Sequence, residues 1–108
     1  MQYLMLVRVD PELADTTTVG DVAPWVEEGA RRGLRVQGAA VEPPETARTV
    51  RVRGGETLLS DGPFLETKEY VAGLDVLSCE TLDEALELAA AHPLARFHMV
   101  EVRPFWGG

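Results

Sequence analysis

The first apolar run of the chain alternates with the period of a β-strand. Between Tyr3 and Val9, one face is apolar at every second residue, and leucines occupy the other face until Arg8 interrupts them. This alternation predicts a strand over residues 3–9, and apolar side chains on both faces indicate that both are covered. Asp10-Pro11 ends the strand, because proline has no N–H to donate to a neighbouring strand.

Two later segments show the 3.6-residue period of amphipathic helices. The first is predicted over residues 21–32, with Asp21 as its N-cap and Gly33 as its left-handed stop. The second begins at a capping box that starts with Thr81, and it runs to about His92, where Pro93 ends it. The predicted core-facing residues are Val22, Ala23, Val26 and Ala30 in the first helix, and Leu82, Ala85, Leu86 and Ala89 in the second.

The other segments predict strands and a hairpin. Strands are expected over residues 34–41, 70–79 and 97–103, and Gly54-Gly55 joins two short strands because both turn positions favour positive φ. The resulting order is β-α-β, hairpin, β-α-β. With right-handed crossovers this order predicts an α+β, ferredoxin-like split βαβ fold, in which two helices cover one face of a four-stranded antiparallel sheet and the β-hairpin is inserted.

One face of this predicted sheet has no helix to cover it. Because the first strand is apolar on both faces, the uncovered face would expose an apolar patch large enough to require a partner. A symmetric homodimer that packs sheet against sheet satisfies this requirement. We therefore predict a homodimer.

Composition and charge narrow the class of protein. A chain of 108 residues predicts one domain over residues 1–108. A net charge of −8 argues against nucleic acid as a partner, since phosphate binding needs a concentrated basic surface. No apolar run approaches the roughly 20 residues of a membrane span, and residues 1–9 lack a signal-peptide pattern, so we expect a cytoplasmic protein without a membrane partner.

The residue types that bind cofactors are sparse. The single cysteine, Cys79, excludes an intrachain disulfide, and two isolated histidines give no metal-binding spacing. The chain also lacks a glycine-rich phosphate loop and a nucleophile elbow. We therefore expect no metal and no cofactor.

The segment at residues 61–69 carries most of the candidate chemistry. It starts with a turn in which aspartate bonds forward to the backbone, glycine takes positive φ and proline fixes the exit. An aromatic ring and four consecutive polar side chains follow, which is a density of ionisable groups that a simple connection does not need. The candidate ligand-binding residues are Asp61, Gly62, Pro63, Phe64, Glu66, Thr67, Lys68, Glu69 and, near the last strand, His98.

Several of these residues also have structural interpretations. Asp61 is favoured as a turn former over an acid or base, and Phe64 as a packing residue over a substrate platform. Glu66 and Lys68 share one side of an extended chain. They form an exposed ion pair or line a pocket for an anionic or hydroxylated small molecule, and the sequence leaves both interpretations open.

The two histidines differ in their predicted surroundings. His92 at a helix C-terminus is expected to interact, when protonated, with the helix dipole. Alternation places His98 on the strand face of Val100 and Val102, where it can reach the interior of the sheet. A buried neutral histidine with one hydrogen bond is favoured over a catalytic one.

The order Asp-Gly-Pro-Phe, then Glu-Thr-Lys-Glu, placed between a hairpin and a sheet strand, is specific. By this motif the chain resembles the YCII-related family, and within it the subgroup recognised by the Asp-Gly-Pro-Phe (DGPF) motif. The likeness runs from the opening strand ending in Asp10 to the closing residues 100–104. The resemblance implies a dimeric α+β barrel with a cleft near the dimer interface. Some members are thought to be encoded near extracytoplasmic-function sigma factors, which implies a regulatory role.

Other YCII-like relatives carry a histidine on the first helix and an aspartate near the end of the second, proposed as a catalytic pair. When the chains are aligned on Gly33, the histidine position falls at about Val22, and the Asp-Pro of the relatives corresponds to His92-Pro93. Both members of the pair are absent from this chain. A hydrolase or lyase that depends on the pair is therefore not expected.

Three function hypotheses follow. The first is a ligand-binding or regulatory accessory protein with a small-molecule pocket near residues 61–68. The second is an enzyme of the dimeric α+β barrel type, monooxygenase- or isomerase-like, which rests on the fold alone. The third is a protein-interaction module whose acidic surface binds a basic partner such as a sigma factor.

Overall fold

A computed structural model describes residues 1–10, 12, 22–63 and 69–107 of the chain. The predicted N-cap Asp21 and the candidate residues in 64–68 lie outside this part. The helices and strands are β1 (Gln2–Val9), α1 (Ala23–Arg31), β2 (Arg35–Ala40), β3 (Arg48–Arg53), β4 (Glu56–Asp61), β5 (Tyr70–Ser78), α2 (Leu82–Ala90) and β6 (Met99–Pro104), with short 3-10 turns at Pro44–Thr46 and Pro93–Arg96.

The main sheet has the strand order β2-β5-β1-β6, and each neighbouring pair is antiparallel. Both helices pack on one face, so the predicted ferredoxin-like α+β fold is confirmed. β3 and β4 form a separate two-stranded sheet. Its turn has φ of 57° at Gly54 and 80° at Gly55, as the glycine pair predicts.

The core lies between β1, β5 and the helices. Tyr3 and Met5 of β1 are almost fully buried, and Leu77 of β5 lies directly opposite Tyr3 in the register. On the other face of the same strands, Leu4 and Leu6 are only half-buried. Both helices pack on the opposite face, and we call the face of Leu4 and Leu6 the open face.

The core-facing stripe of α1 differs from the predicted one. Trp25 and Gly29 are buried, whereas Ala23 and Ala30 are exposed, so the predicted stripe was wrong at these positions. The Trp25 indole Nε1 donates a hydrogen bond of 2.8 Å to the carbonyl of Leu88. This bond satisfies the only polar atom of a large apolar ring, which allows the ring to face the core.

The stripe of α2 is also rotated from the predicted one. Ala85 and Ala89 are buried as predicted, but Leu88 is buried with them, and Leu82 and Leu86 are exposed. The helix ends at Ala90 rather than near His92.

The N-terminus of α2 is capped as its capping box predicts. The Thr81 hydroxyl accepts a hydrogen bond from the backbone N–H of Glu84. The Glu84 carboxylate accepts one from the backbone N–H of Glu80, one residue earlier than the usual capping box.

The β3–β4 hairpin is exposed on both faces. Val50 and Leu59 form a directly opposed pair, and each exposes more than half of its surface. Val52, on the same face, is equally exposed. The apolar face of the hairpin therefore has no cover within the described residues.

Candidate functional site

The first three residues of the motif form the turn that anchors the base of the hairpin. Asp61 is the last residue of β4, and its exposed carboxylate pairs with Arg48 at 3.0 Å. Gly62 has a φ of 84°, and its N–H donates to the carbonyl of Ala47 at 2.7 Å. Its own carbonyl accepts from the Thr49 hydroxyl at 2.9 Å. The predicted positive φ of Gly62 is therefore confirmed.

Gly62 and Pro63 form one wall of a cavity of about 710 Å³, which we call the motif cavity. The connection over residues 41–47 forms another wall, and Arg8, Tyr70 and Val71 complete the described lining. Phe64, Glu66, Thr67 and Lys68 lie outside the described residues. The structure therefore brings Gly62 and Pro63 to a cavity and leaves Asp61 on the solvent side of the turn.

Arg8 supplies the positive charge of the motif cavity. Its Nε donates to Oε1 of Glu101 on β6 at 3.0 Å, across the open face. Arg103 pairs with the same carboxylate. Hydrogen bonds from Arg103 and then from Arg8 hold the pKa of Glu101 below its usual value. The ion pairs of Glu101 with Arg8 and Arg103 fix the orientation of Arg8 at the rim of the cavity.

The other two described candidates, Glu69 and His98, meet at the end of β1. They line a small cavity of about 140 Å³, which we call the end cavity, together with Arg8 and Asp10. His98 lies one residue before β6 and is half-buried, and its Nδ1 accepts a hydrogen bond of 3.3 Å from the backbone N–H of Asp10. Because Arg8 lines both cavities, they adjoin one another.

Sequence reasoning missed a third group, an ion pair on the helix-covered side of the sheet. Arg35 Nε donates to Asp75 Oδ1 at 2.7 Å, and the two side chains are 15% and 9% exposed. Gly38 lies opposite Asp75 in the register, and a Cβ there would collide with both side chains of the pair. The glycine therefore leaves the space that the pair occupies.

His92 is buried beside this pair, with only 3% of its surface exposed. Its Nδ1 accepts a hydrogen bond of 3.1 Å from the N–H of Leu94, which caps the 3-10 turn, and its ring meets Trp25 edge-on at 4.7 Å. Burial lowers the pKa of His92, nearby Asp75 raises it, and Arg35 lowers it further. The predicted role of a protonated imidazole at the end of α2 was therefore wrong, because this ring is buried and neutral.

Arg35, Asp75 and His92 share a cavity of about 220 Å³, which we call the inner cavity. Its other walls are apolar or carry no side chain: Val7, Val22, Val26, Ala39, Ala40, Ala72, Gly73 and Leu94. By the family resemblance, Val22 and His92 stand at about the positions of the catalytic pair of other YCII-like relatives. Both line the inner cavity, where this chain has an apolar side chain in place of one member and a histidine in place of the other.

A sequence signal for this site was present in β5. Asp75 interrupts the apolar stretch Leu74 to Leu77, and a carboxylate in such a stretch needs a partner when it is buried. Arg35 is 40 residues away along the chain. The signal therefore marks Asp75 but does not identify its partner.

The stability of the fold should depend on pH through His92. In the unfolded chain a histidine takes up a proton near pH 6.5, whereas burial lowers the pKa of folded His92. We therefore expect the free energy of unfolding to fall as the pH drops below about 6.5, by at most about 1.4 kcal/mol per pH unit, and to be insensitive to this group above it. Urea unfolding at pH values up to about one unit below and above 6.5 measures this dependence.

The control variants separate His92 from other groups. His92→Asn keeps an acceptor for the N–H of Leu94 and removes the titration, so it should flatten the profile in this range. Trp106→Ala, which removes no titratable group, should leave the profile as it is in the unmodified chain. An unchanged profile in His92→Asn would contradict the prediction.

The architecture defines a ferredoxin-like α+β protein with an inserted hairpin. The sequence model of the YCII-related domain matches residues 1–106, and the chain belongs to the YCII-related family. It is 47% identical over 51 residues to an uncharacterized protein of Rhizobium meliloti (strain 1021). That match covers 47% of this chain and 41% of the relative, so it spans less than half of the relative's length.

A solved structure shares the fold. It is a 5-chloro-2-hydroxyhydroquinone dehydrochlorinase from Burkholderia phenoliruptrix AC1100 in complex with 2,5-dihydroxybenzoquinone. The similarity has a TM-score of 0.54 and 13% sequence identity, and it covers 100% of this chain and 96% of that one. At this identity the likeness shows the fold alone. Among the described residues, no helix is long and apolar enough to cross a membrane.

Proposed function

We propose that this YCII-related protein is a cytoplasmic, single-domain member of the DGPF-motif subgroup that binds a small molecule in the motif cavity. The observation that carries the proposal is the position of Gly62 and Pro63 in the wall of that cavity. The distinctive motif thus adjoins a solvent-open cavity. This position supports a ligand-binding or regulatory accessory role, and the resemblance to relatives encoded near sigma factors supports association with a sigma factor.

The composition of the motif cavity supports this role. Its volume of about 710 Å³ lies within the range of about 300–1,000 Å³ that small-molecule sites occupy. Valine and proline side chains supply apolar walls, while Arg8 and Tyr70 supply polar groups that can orient a ligand. Glu42 and Glu45 also line the cavity and Arg8 is already paired with Glu101, so a hydroxylated small molecule fits the described lining better than an anionic one.

The ligand response should depend on the motif. A thermal-shift screen with small acids and metabolites identifies a binder, and Lys68→Ala and Glu66→Ala should each weaken it by about tenfold or more. The reason is that a hydrogen bond to a charged group contributes about 1.5–3 kcal/mol. Arg53→Ala, at the exposed end of the hairpin, is the matched control and should bind normally. Unchanged binding in both motif variants would exclude the motif cavity as the site.

We also propose that the protein is a homodimer in which two open faces pack together. Leu6 and Leu74 lie opposite each other at the centre of the open face and are half-buried. Val50 and Leu59 add apolar surface on the hairpin. These apolar side chains support burial of both surfaces in such an interface.

The dimer should appear in the solution mass. At micromolar concentration we expect twice the chain mass of 11.8 kDa. Leu74→Arg should give a monomer, because its cross-strand neighbours Leu6 and Ala39 carry no charge and a guanidinium at the centre of the interface is desolvated without a partner. Leu86→Arg, on the exposed side of α2, should stay dimeric. A monomeric unmodified chain would rule out this assembly.

An enzyme is the second candidate function, and the inner cavity favours it. Buried charged and titratable groups in a cavity are commoner at functional sites than elsewhere. The dehydrochlorinase of similar fold was solved in complex with a small oxygenated ring compound, 2,5-dihydroxybenzoquinone. Release of chloride from 5-chloro-2-hydroxyhydroquinone, lost in Asp75→Asn, would support this candidate. The absence of release would exclude that substrate.

A further inference from the structure

The inner cavity holds hydrogen-bond donors that the described residues do not use. Arg35 uses its Nε for Asp75, and no described residue accepts a hydrogen bond from its two Nη groups. Every enclosed side-chain nitrogen or oxygen of the described residues has a partner, so these Nη groups must reach open space. Because Arg35 lines the inner cavity, a bound molecule there can accept from them.

The hydrogen bond to Nδ1 fixes the tautomer of His92. Nδ1 accepts from the N–H of Leu94, so it carries no proton, and in the neutral ring the proton is on Nε2. Protonating Nδ1 would set two N–H groups against each other. His92 therefore offers the cavity a permanent Nε2–H donor, and it cannot act as a base at Nε2 without losing its backbone hydrogen bond.

Among the described residues that line the inner cavity, the charges cancel. Arg35 from β2 and Asp75 from β5 are paired, and the remaining walls from β1, α1 and the 3-10 turn are apolar. An anionic ligand would add an uncompensated charge to this largely apolar space, which costs free energy. An uncharged acceptor meets the same donors without that cost.

We propose that the inner cavity binds an uncharged, ring-sized carbonyl compound whose oxygen accepts hydrogen bonds from Arg35 and from Nε2–H of His92. The cavity volume of 220 Å³ equals the liquid volume of about seven waters, which suits a single substituted ring. A hydroxyl on the ring can donate to the oxygen of Asp75 that Arg35 leaves unused. The inference does not depend on the motif cavity, which is a separate site.

Backbone and side-chain ¹⁵N–¹H spectra of the full chain test this with a matched pair of probes. We expect 3-hydroxybenzamide to shift the Nε2 resonance of His92 and the Nε resonance of Arg35. We expect the anion 3-hydroxybenzoate to bind at least about tenfold more weakly, because its charge is not compensated. Equal or tighter binding of the benzoate would overturn the proposal, and so would shifts confined to Gly62 and Tyr70. A dissociation constant above about 10 mM for both probes would overturn it as well.

Variants test the donor itself. His92→Asn keeps the acceptor for Leu94 but lacks the Nε2–H donor, so it should bind 3-hydroxybenzamide about fivefold more weakly. His98→Asn should bind it as the unmodified chain does. Equal binding by His92→Asn would overturn the role of His92.

The unmodified chain gives a further check that needs no folded variant. The proposal requires the Nε2–H tautomer of His92 in the ¹⁵N spectrum, and an Nδ1–H tautomer would overturn it. Lys68→Ala should leave the binding of 3-hydroxybenzamide unchanged. This separates failure at the inner cavity from failure at the motif cavity.

Discussion

Asp75→Ala is expected to lower the free energy of unfolding by about 3–5 kcal/mol, as removal of one partner of a buried ion pair does. The substitution leaves the Arg35 guanidinium, 15% exposed, in an apolar environment with no counter-charge. Gly38 provides no side chain that could replace the lost partner. Urea unfolding of the variant beside the unmodified chain measures the loss.

Two controls separate this effect from the loss of any carboxylate. Glu28→Ala breaks the pair between Glu28 and Arg31, which is exposed on α1, and it should leave the stability unchanged. Arg35→Met combined with Asp75→Leu replaces both charges with apolar side chains, and it should recover most of the loss. A loss in Asp75→Ala no larger than that in Glu28→Ala would contradict the buried pair.

Trp25→Ala is expected to cost about 3–5 kcal/mol, the usual cost of truncating a buried large aromatic side chain. The indole is 7% exposed, packs on the core and contacts the edge of His92. Its removal creates a cavity and takes away the indole donor of the Leu88 carbonyl, which keeps only the N–H of Ala91. Thermal or urea unfolding measures the effect.

The second tryptophan provides a matched control. Trp106, after β6, is fully exposed in the chain, so Trp106→Ala should leave the stability of the chain itself unchanged. Trp25→Phe keeps most of the ring and loses the hydrogen bond to Leu88, and it should cost about 1–3 kcal/mol. If Trp25→Ala and Trp106→Ala had equal effects, the position of Trp25 in the core would be wrong.

The fold follows from patterns that are local in the sequence. Alternation in β1, the glycine pair of the hairpin and the capping box at Thr81 each depend on neighbouring residues, and each is found in the structure. The helix faces were predicted less well, because Trp25 is amphipathic and Gly29 carries no hydrophobic signal. The sequence pattern therefore did not distinguish the helix face that contains Ala30 from the face that packs against the core.

The inner cavity could not be predicted because it depends on register. Arg35 and Asp75 meet because β2 pairs with β5, and that pairing has an irregularity between Arg35 and Gln37. A shift of one residue would have turned Asp75 toward a different neighbour. The environment of His92 likewise depends on α2 ending at Ala90, two residues before the predicted end.

The exposed hairpin is built from residues other than those that form the core. Its strands pair with each other and not with the main sheet, so Val50 and Leu59 contribute little to the core that holds the chain together. Substitutions at its tip can therefore change which molecules the protein associates with while its folding is left intact. In a lineage of such proteins, partner choice could diverge through this arm while the sheet and helices stay the same.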